Sequence, residues 1–477
     1  MAEKMYINGK WITGDTQDYI TVYNPADQQE IASVPSGGKK EAEEAAESAY
    51  KAFKTWSKTT AGERSLLLTK WFELIEKHKE DLAVCMTKEQ GKPYQEALGE
   101  VGYANSFIQW YAEEGKRVYG DIIPASAPNK RIFVQKQPVG VAAIITPWNF
   151  PAAMITRKAA PALAAGCTVV IKPAEETPLT ALKLVELAEE AGFPPGVINL
   201  VTGNPKEIGE QWLSDKRVRK VSFTGSTEVG KLLMRGAADT VKKLSLELGG
   251  QAPLIVMGKA DVDTAVQETV KSKFRNAGQT CVCSNRIYVH RSVAGEFTEK
   301  LKLAVEQLKV GPGLEEGVHI GPLIDQKALE KVQRHVEEAK NSGAEIVTGG
   351  VSLSEQSGYY FAPTIIKGAT GDMLCMNEET FGPVAPISIF DTEEEVVEKA
   401  NDTDFGLAAY LFTEDLSEAL RISENLEYGI VGVNDGLPSV PQAPFGGFKE
   451  SGLGREGGYY GIEEYLEIKY TSLSIKQ

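Results

Sequence analysis

The sequence predicts an α/β protein whose sheets are mainly parallel, and three observations carry that prediction. From Val139 onward, short apolar runs alternate with amphipathic stretches, the pattern of βαβ units. At 477 residues the chain is too long for one ordinary core, so two or more packed units are expected. A composition of 42% hydrophobic and 25% charged residues is that of a globular chain able to bury a large interior.

Taken in order, residues 6–24 read as a hairpin-like segment. Residues 39–115 read as successive amphipathic helices, with Ala45, Ala46, Tyr50 and Phe53 at the three- and four-residue spacing of a buried seam. Strands are expected at 141–145, 168–171, 197–201, 218–223 and 254–256, each divided from the next by helical or turn residues. A second α/β region spans roughly 250–446, with strands at 286–289, 345–348 and 385–389. Two stretches fit neither unit: 121–137, and the alternating tail 465–475. Long free strand edges invite aggregation, so these are expected to be covered in a homo-oligomer, a dimer or a tetramer. The expected division is therefore 1–120 with 138–249, then 250–450, with 121–137 and 459–477 as oligomerisation segments.

Charge and sulfur exclude several classes. With 51 basic against 66 acidic residues the net charge is −15, and the basic residues are scattered, so no nucleic-acid partner is expected. No run reaches the roughly 20 apolar residues that cross a bilayer, and Met1 to Met5 carry no secretory pattern, which points to a cytoplasmic protein without a membrane partner. Five sparse cysteines suit a reducing compartment. Neither they nor His78, His290, His319 and His335 have metal-site spacing, so no metal is expected.

The sharpest local feature is Phe274-Arg275-Asn276-Ala277-Gly278-Gln279-Thr280-Cys281-Val282-Cys283. A helical run is expected to stop at Gly278, presenting Cys281 at a turn where backbone amides can stabilise its thiolate, the form that attacks carbonyls. The competing reading is a small buried cysteine.

This segment resembles the catalytic-cysteine motif of the aldehyde dehydrogenase superfamily. Further family motifs follow in the family's order: Pro147-Trp148-Asn149-Phe150-Pro151, Lys172-Pro173-Ala174-Glu175, Phe223-Thr224-Gly225-Ser226-Thr227, Leu246-Glu247-Leu248-Gly249-Gly250, Glu379-Thr380-Phe381-Gly382-Pro383, and residues 444–452 with Pro444-Phe445-Gly446-Gly447. The similarity covers essentially the whole chain. It implies a parallel-sheet dinucleotide-binding domain, an α/β catalytic domain and a β-strand arm for oligomerisation.

The resemblance also implies roles. Cys281 would attack the aldehyde, Glu247 would act as general base for water, and Asn149 would donate to the oxyanion. Lys158 resembles a family lysine near that base, an ordinary surface lysine being the alternative. The chemistry asks for such groups, since a thioester needs activated water and an oxyanion needs a fixed donor. Gly225 and Ser226 would hold the cofactor pyrophosphate at a helix start. Lys172 and Glu175 would meet the adenine-side ribose, Glu379 and Phe381 the nicotinamide side, and Thr146, Pro147 and Trp148 complete the cofactor site. The carboxylate of Glu175 accepts from ribose hydroxyls and repels a 2′-phosphate, so NAD is expected to be preferred, with NADP possible.

Within the superfamily the chain looks like the succinate-semialdehyde dehydrogenase branch. Arg157, Arg275 and Ser439 stand where many relatives have apolar residues, and together they suit a small aldehyde with a terminal carboxylate. Glutarate semialdehyde or another small aldehyde is the alternative substrate. An acyl-CoA-forming enzyme and a non-enzymatic protein on the same fold are the alternative classes. Cys283 is a redox candidate: a reversible bridge to Cys281 would silence the nucleophile, although residues two apart make a strained disulfide.

Overall fold

In the computed structural model, which describes residues 3–15, 18–353 and 357–476, the amphipathic stretch folds into four helices, Lys39–Trp56, Ala61–Lys77, Lys79–Gln90 and Tyr94–Glu114. The first docks through small side chains: Ala42, Ala45, Ala46 and Ala49 are buried at helical spacing while Glu43 and Glu44 face water. Tyr50, expected in that seam, is 40% exposed, because the seam is narrow and the ring lies on its flank. The second helix starts at a reciprocal cap, with Glu63 N–H donating to Thr60 Oγ1 (3.2 Å) and Thr60 N–H donating to the Glu63 carboxylate (2.7 Å).

Residues 6–24 are not one hairpin. Asn8 and Gly9, both at positive φ, reverse the chain at once, so Met5–Ile7 pairs with Lys10–Ile12 and joins the large sheet opposite Leu200. Tyr19–Tyr23 instead pairs with Glu30–Pro35.

The large sheet has eight strands in the order Lys10–Ile12, Met5–Ile7, Ile198–Leu200, Thr168–Lys172, Val141–Ile145, Val218–Thr224, Lys243–Glu247 and Gly452–Leu453. The five from Ile198–Leu200 to Lys243–Glu247 are mutually parallel. Starting from Val141–Ile145 the chain adds two strands on one side and then two on the other. The order therefore reverses between Val141–Ile145 and Val218–Thr224, where a parallel sheet opens a crevice at its carboxyl edge. The second sheet has seven strands, ordered Glu345–Thr348, Thr364–Lys367, Val384–Phe390, Ser284–His290, Ala252–Val256, Ala408–Phe412 and Ile430–Val433; only the first runs antiparallel. Thr168–Lys172 and Ala252–Val256 are buried at every residue, as strands covered on both faces must be.

The two stretches that fitted neither unit do pair with each other. Leu466–Ser474 runs antiparallel to Lys130–Pro138 over nine residue pairs, and Asp121–Ile123 completes a separate three-stranded sheet. Ile122 and Ile468 on it are 77% and 72% exposed. Among the described residues no helix is long and apolar enough to cross a membrane.

Candidate active site

Four strand ends supply one side of the site. Val141–Ile145 runs out into Thr146, Pro147, Trp148 and Asn149, and Thr168–Lys172 ends on Lys172. Val218–Thr224 leads to Gly225 and to Ser226, whose Oγ accepts Val229 N–H (3.3 Å) and so starts the helix Thr227–Ala238. Lys243–Glu247 ends on Glu247. The next four residues, Leu248 to Gln251, cross from the first sheet to the second. They can do so because Gly250 lacks a side chain: a Cβ there would lie 2.3 Å from the Cys281 carbonyl oxygen.

The cysteine segment supplies the other side. The helix Val262–Phe274 ends four residues earlier than the helical run expected up to Gly278. Asn276 (φ 51°), Ala277 (φ 54°) and Gly278 (φ 73°) then follow in the left-handed region. The first two are not glycines and carry about 1–2 kcal/mol of strain each, so other contacts must hold them. Asn276 Nδ2 donates to the carbonyls of Asn149 and Gln279, both at 3.1 Å. At Gly278 a Cβ would meet the Gly382 carbonyl at 2.2 Å.

Cys281 lines two hollows at once. One, of about 340 Å³, is walled by Pro147, Trp148, Asn149, Gly225, Ser226, Glu379 and Phe381, with Lys327 and Lys331 from the helix Gln326–Asn341. The other, of about 220 Å³, is walled by Arg157, Arg275 and Ser439 together with Tyr103, Phe150, Tyr410 and Phe445. A wider depression of about 760 Å³ near Phe53, Arg64 and Lys136 carries none of the candidate catalytic, cofactor or substrate residues.

On the first side, Trp148 and Phe381 meet edge to face with centroids 5.6 Å apart, and Phe381 is itself left-handed (φ 54°). The Glu379 carboxylate accepts Gly250 N–H (3.1 Å), and burial pushes its carboxyl up to about 7. Thr146 donates its N–H to the Lys172 carbonyl (3.1 Å), while its buried Oγ1 has no partner among the described residues. Lys172 Nζ donates to Glu175 at 2.5 Å. Neither Lys172, Glu175 nor Thr146 walls the 340 Å³ hollow; they lie along the same sheet edge beyond it.

The thiol corrects one expectation. Arg157 and Arg275 favour its anion, but burial dominates, with Glu379 and Glu247 adding to it, and pushes the Cys281 thiol up to about 12. That direction runs against the stabilised thiolate expected from the turn. Asn149 is buried beside it, and its Nδ2 donates to the Gln279 carbonyl (3.1 Å).

Behind the hollows lies a charged cluster in which only part was anticipated. The helix Ala153–Ala165 is buried at every residue yet carries Arg157 and Lys158 side by side. Both pair with Glu456: Arg157 Nε and Lys158 Nζ donate to its two oxygens, the latter at 2.5 Å, and Lys158 also bonds Thr224 Oγ1. Lys158 is thus no surface lysine. Arg157, whose guanidinium also covers the Phe445 ring at 4.0 Å, offers the 220 Å³ hollow only part of its fork. Burial pushes the Glu456 carboxyl up, but Lys158 and Arg157 outweigh it and hold it below the usual range. Glu247 is the reverse case. Neither of its buried oxygens has a hydrogen-bond partner among the described residues, and burial, reinforced by the Glu456 anion, pushes its carboxyl well above the usual range against Arg157 and Lys158. Glu247 does not wall either hollow. Sequence reading missed Glu456, although two adjacent cations in an otherwise apolar helix signal that a buried acid must face them.

Cys281 and Cys283 are both free thiols. Cys283 is fully buried, its sulfur 3.1 Å from Lys273 Nζ, and it walls neither hollow. A bridge to Cys281 would have to draw it out of that contact, so the geometry favours a packing role.

A nucleophile set between the crevice of a parallel sheet and a cation-lined hollow defines a dinucleotide-linked oxidoreductase. The chain belongs to the aldehyde dehydrogenase family, whose model matches residues 11–471; it is an oxidoreductase acting on aldehydes with NAD(P) as acceptor. It is 55% identical to a glutarate-semialdehyde dehydrogenase of Pseudomonas putida, covering 99% of this chain and 98% of the relative. It is 54% identical to succinate-semialdehyde dehydrogenase [NADP(+)] GabD of Escherichia coli, with the same coverage. A crystal structure of aldehyde dehydrogenase from Brucella melitensis biovar abortus 2308 superposes with a TM-score of 0.98 at 57% identity, covering 100% of this chain and 98% of that one.

Proposed function

We propose that this protein oxidises succinate semialdehyde to succinate, with glutarate semialdehyde as a second substrate, and that Arg157, Arg275 and Ser439 take the terminal carboxylate. The observation that carries this reading is that these three residues wall the same 220 Å³ hollow as Cys281. The names of the relatives from Pseudomonas putida and Escherichia coli agree with it. Arg275 is the freer guanidinium, since its buried Nε has no partner among the described residues. Replacing Arg275 with alanine is expected to lower kcat/KM for succinate semialdehyde about tenfold to a hundredfold, the 1.5–3 kcal/mol of a charged hydrogen bond. An uncharged aldehyde of equal length should change by less than about threefold. Steady-state kinetics on both aldehydes check this, and a parent enzyme that prefers the uncharged one would refute the reading.

In the proposed mechanism Cys281 gives its proton to solvent water and its sulfur bonds the carbonyl carbon, while Asn149 donates to the oxygen as it becomes negative. Bound NAD(P) supplies the acceptor for the hydride that leaves this carbon. Glu247 then takes a proton from the water that attacks the thioester, releasing the acid and the thiol. Lys158 and Glu456 set the charge around Glu247.

The residues present fit a dinucleotide. The 340 Å³ hollow opens on the first turn of the 12-residue helix Thr227–Ala238, and the unpartnered buried Thr146 hydroxyl lies on the same sheet edge. Gly225 and Ser226 would hold the pyrophosphate, Lys172 and Glu175 the adenine-side ribose, and Glu379 and Phe381 the nicotinamide end, with Pro147 and Trp148 on the wall between. NAD is the preferred cofactor in this reading and NADP is accepted, because Lys172, paired to Glu175 at 2.5 Å, offsets part of the repulsion that the carboxylate exerts on a 2′-phosphate. A Glu175→Gln enzyme should raise the NADP-to-NAD ratio of kcat/KM about tenfold, one charge contact exchanged at about 1.4 kcal/mol. An unchanged ratio would remove Glu175 from cofactor choice.

The same reading makes the protein a cytoplasmic homo-oligomer, dimer or tetramer. Residues 1–120 with 138–249 would bind the cofactor, 250–450 would carry the thiol, and the three-stranded arm would be covered by a second copy, since Ile122, Ile468 and Tyr470 leave it an apolar surface.

A further inference from the structure

The short segment from Lys92 to Glu100 grips the site from outside. Lys92 Nζ, buried, donates to the Asn149 carbonyl (2.7 Å) and to Glu100. Four residues on, the Glu96 carboxylate on the helix Tyr94–Glu114 accepts the backbone N–H of Asn276 at 2.7 Å.

That N–H belongs to the first of three consecutive left-handed residues, two of which carry a steric penalty and persist only while neighbours hold them. Arg275 stands directly before this turn and Cys281 soon after it, and both face the 220 Å³ hollow. A hold on Asn276 is therefore a hold on the guanidinium and the sulfur together. Among the described residues the Asn276 side chain is bonded only to the carbonyls of Asn149, which walls the 340 Å³ hollow, and of Gln279, three residues further along the same turn. Glu96 reaches the turn from a different helix, 180 residues away in the chain.

We propose that Glu96 is a positioning residue that determines specificity: by accepting the Asn276 N–H it fixes the left-handed turn so that Arg275 and Cys281 meet opposite ends of an aldehyde bearing a terminal carboxylate. This rests on the substrate reading above. It differs from that reading in assigning the selectivity to a hydrogen bond of defined reach rather than to the guanidinium alone.

The test compares Glu96→Ala, Glu96→Asp and Glu96→Gln with the parent. Two quantities are read: kcat and KM on succinate semialdehyde and on an uncharged aldehyde of equal length, and the alkylation rate of Cys281 by iodoacetamide without dinucleotide, followed on the Cys281 peptide by mass spectrometry. Glu96→Ala is expected to lose about tenfold more kcat/KM on the carboxylated aldehyde than on the uncharged one, and to change the alkylation rate about threefold or more. Glu96→Gln keeps an oxygen at the same reach and should recover both, whereas Glu96→Asp keeps the charge but falls short and should behave like alanine. An alanine variant with the parent's selectivity and alkylation rate overturns the proposal. So does the reverse order, aspartate intact and glutamine damaged, which would mean that only the charge matters; this pair decides even if the alanine variant does not fold. If the parent itself shows no preference for the carboxylated aldehyde, the substrate reading fails. The alkylation rates alone then judge the hold on the turn.

Discussion

A Cys281→Ala enzyme is expected to form no NAD(P)H from any aldehyde, a fall of roughly 10⁴-fold or more, because the nucleophile acts as one unit with its base and oxyanion donor. Of the five cysteines, Cys281 is the one that walls the two hollows described here, while Cys167, Cys283 and Cys375 are fully buried and Cys85 is half-buried elsewhere. Dinucleotide binding, followed by fluorescence titration, should stay within about threefold of the parent, since the sulfur contributes only one part of a large wall. The resting state adds a second expectation. With the thiol near 12, the reactive anion is scarce at neutral pH, and alkylation of the parent without substrate should be slow and rise about tenfold per pH unit up to that value. Flat alkylation between pH 7 and 9 would mean that the thiol ionises far lower than its burial allows. Parent-rate turnover by the alanine variant would end the covalent mechanism altogether.

How much of this was legible in the sequence depended on the range of the physics involved. The parallel strands announced themselves through local apolar runs, and Cys281, Asn149, Arg275 and Ser439 stood out through the resemblance to the aldehyde dehydrogenase motifs, whose residue types are those that carbonyl chemistry on an anionic substrate can use. The structure does bring those four to one place, around the sulfur. Which acids would serve as Glu456 and Glu96 do could not be read, because their meaning lies in partners 298 and 180 residues away. The upward push on the thiol was hidden for a related reason: spacing places a cysteine at a turn, but only packing decides how much water the sulfur keeps. Asn276 and Ala277 could not be read as left-handed, since neither is glycine and the contacts holding them come from other segments. The first hairpin, by contrast, was legible and was drawn too long, because Asn8-Gly9 already marks a two-residue turn.

A Glu247→Gln enzyme is expected to lose kcat by about 10² to 10⁴, the range of a removed general base, while gaining stability. The rate and the stability follow from the same burial. In the unfolded chain this carboxyl ionises near 4.5, whereas in the fold it keeps its proton to a much higher pH. Across that interval the folded state binds more protons than the unfolded one, so stability is full below the lower value and falls as pH rises toward the upper. Glutamine escapes the penalty, and its unfolding temperature should equal the parent's at acidic pH and exceed it increasingly above. Turnover runs the other way. Only the ionised carboxyl can accept a proton from water, so the parent's kcat should climb with pH through the raised value and then level, and the glutamine variant should lack that climb. Thermal unfolding and kcat measured over the same pH series check both signs. A residue whose loss slows the reaction and firms the fold is held for chemistry; a glutamine variant with the parent's rate, or one that unfolds at a lower temperature than the parent, would show that Glu247 has a structural role instead.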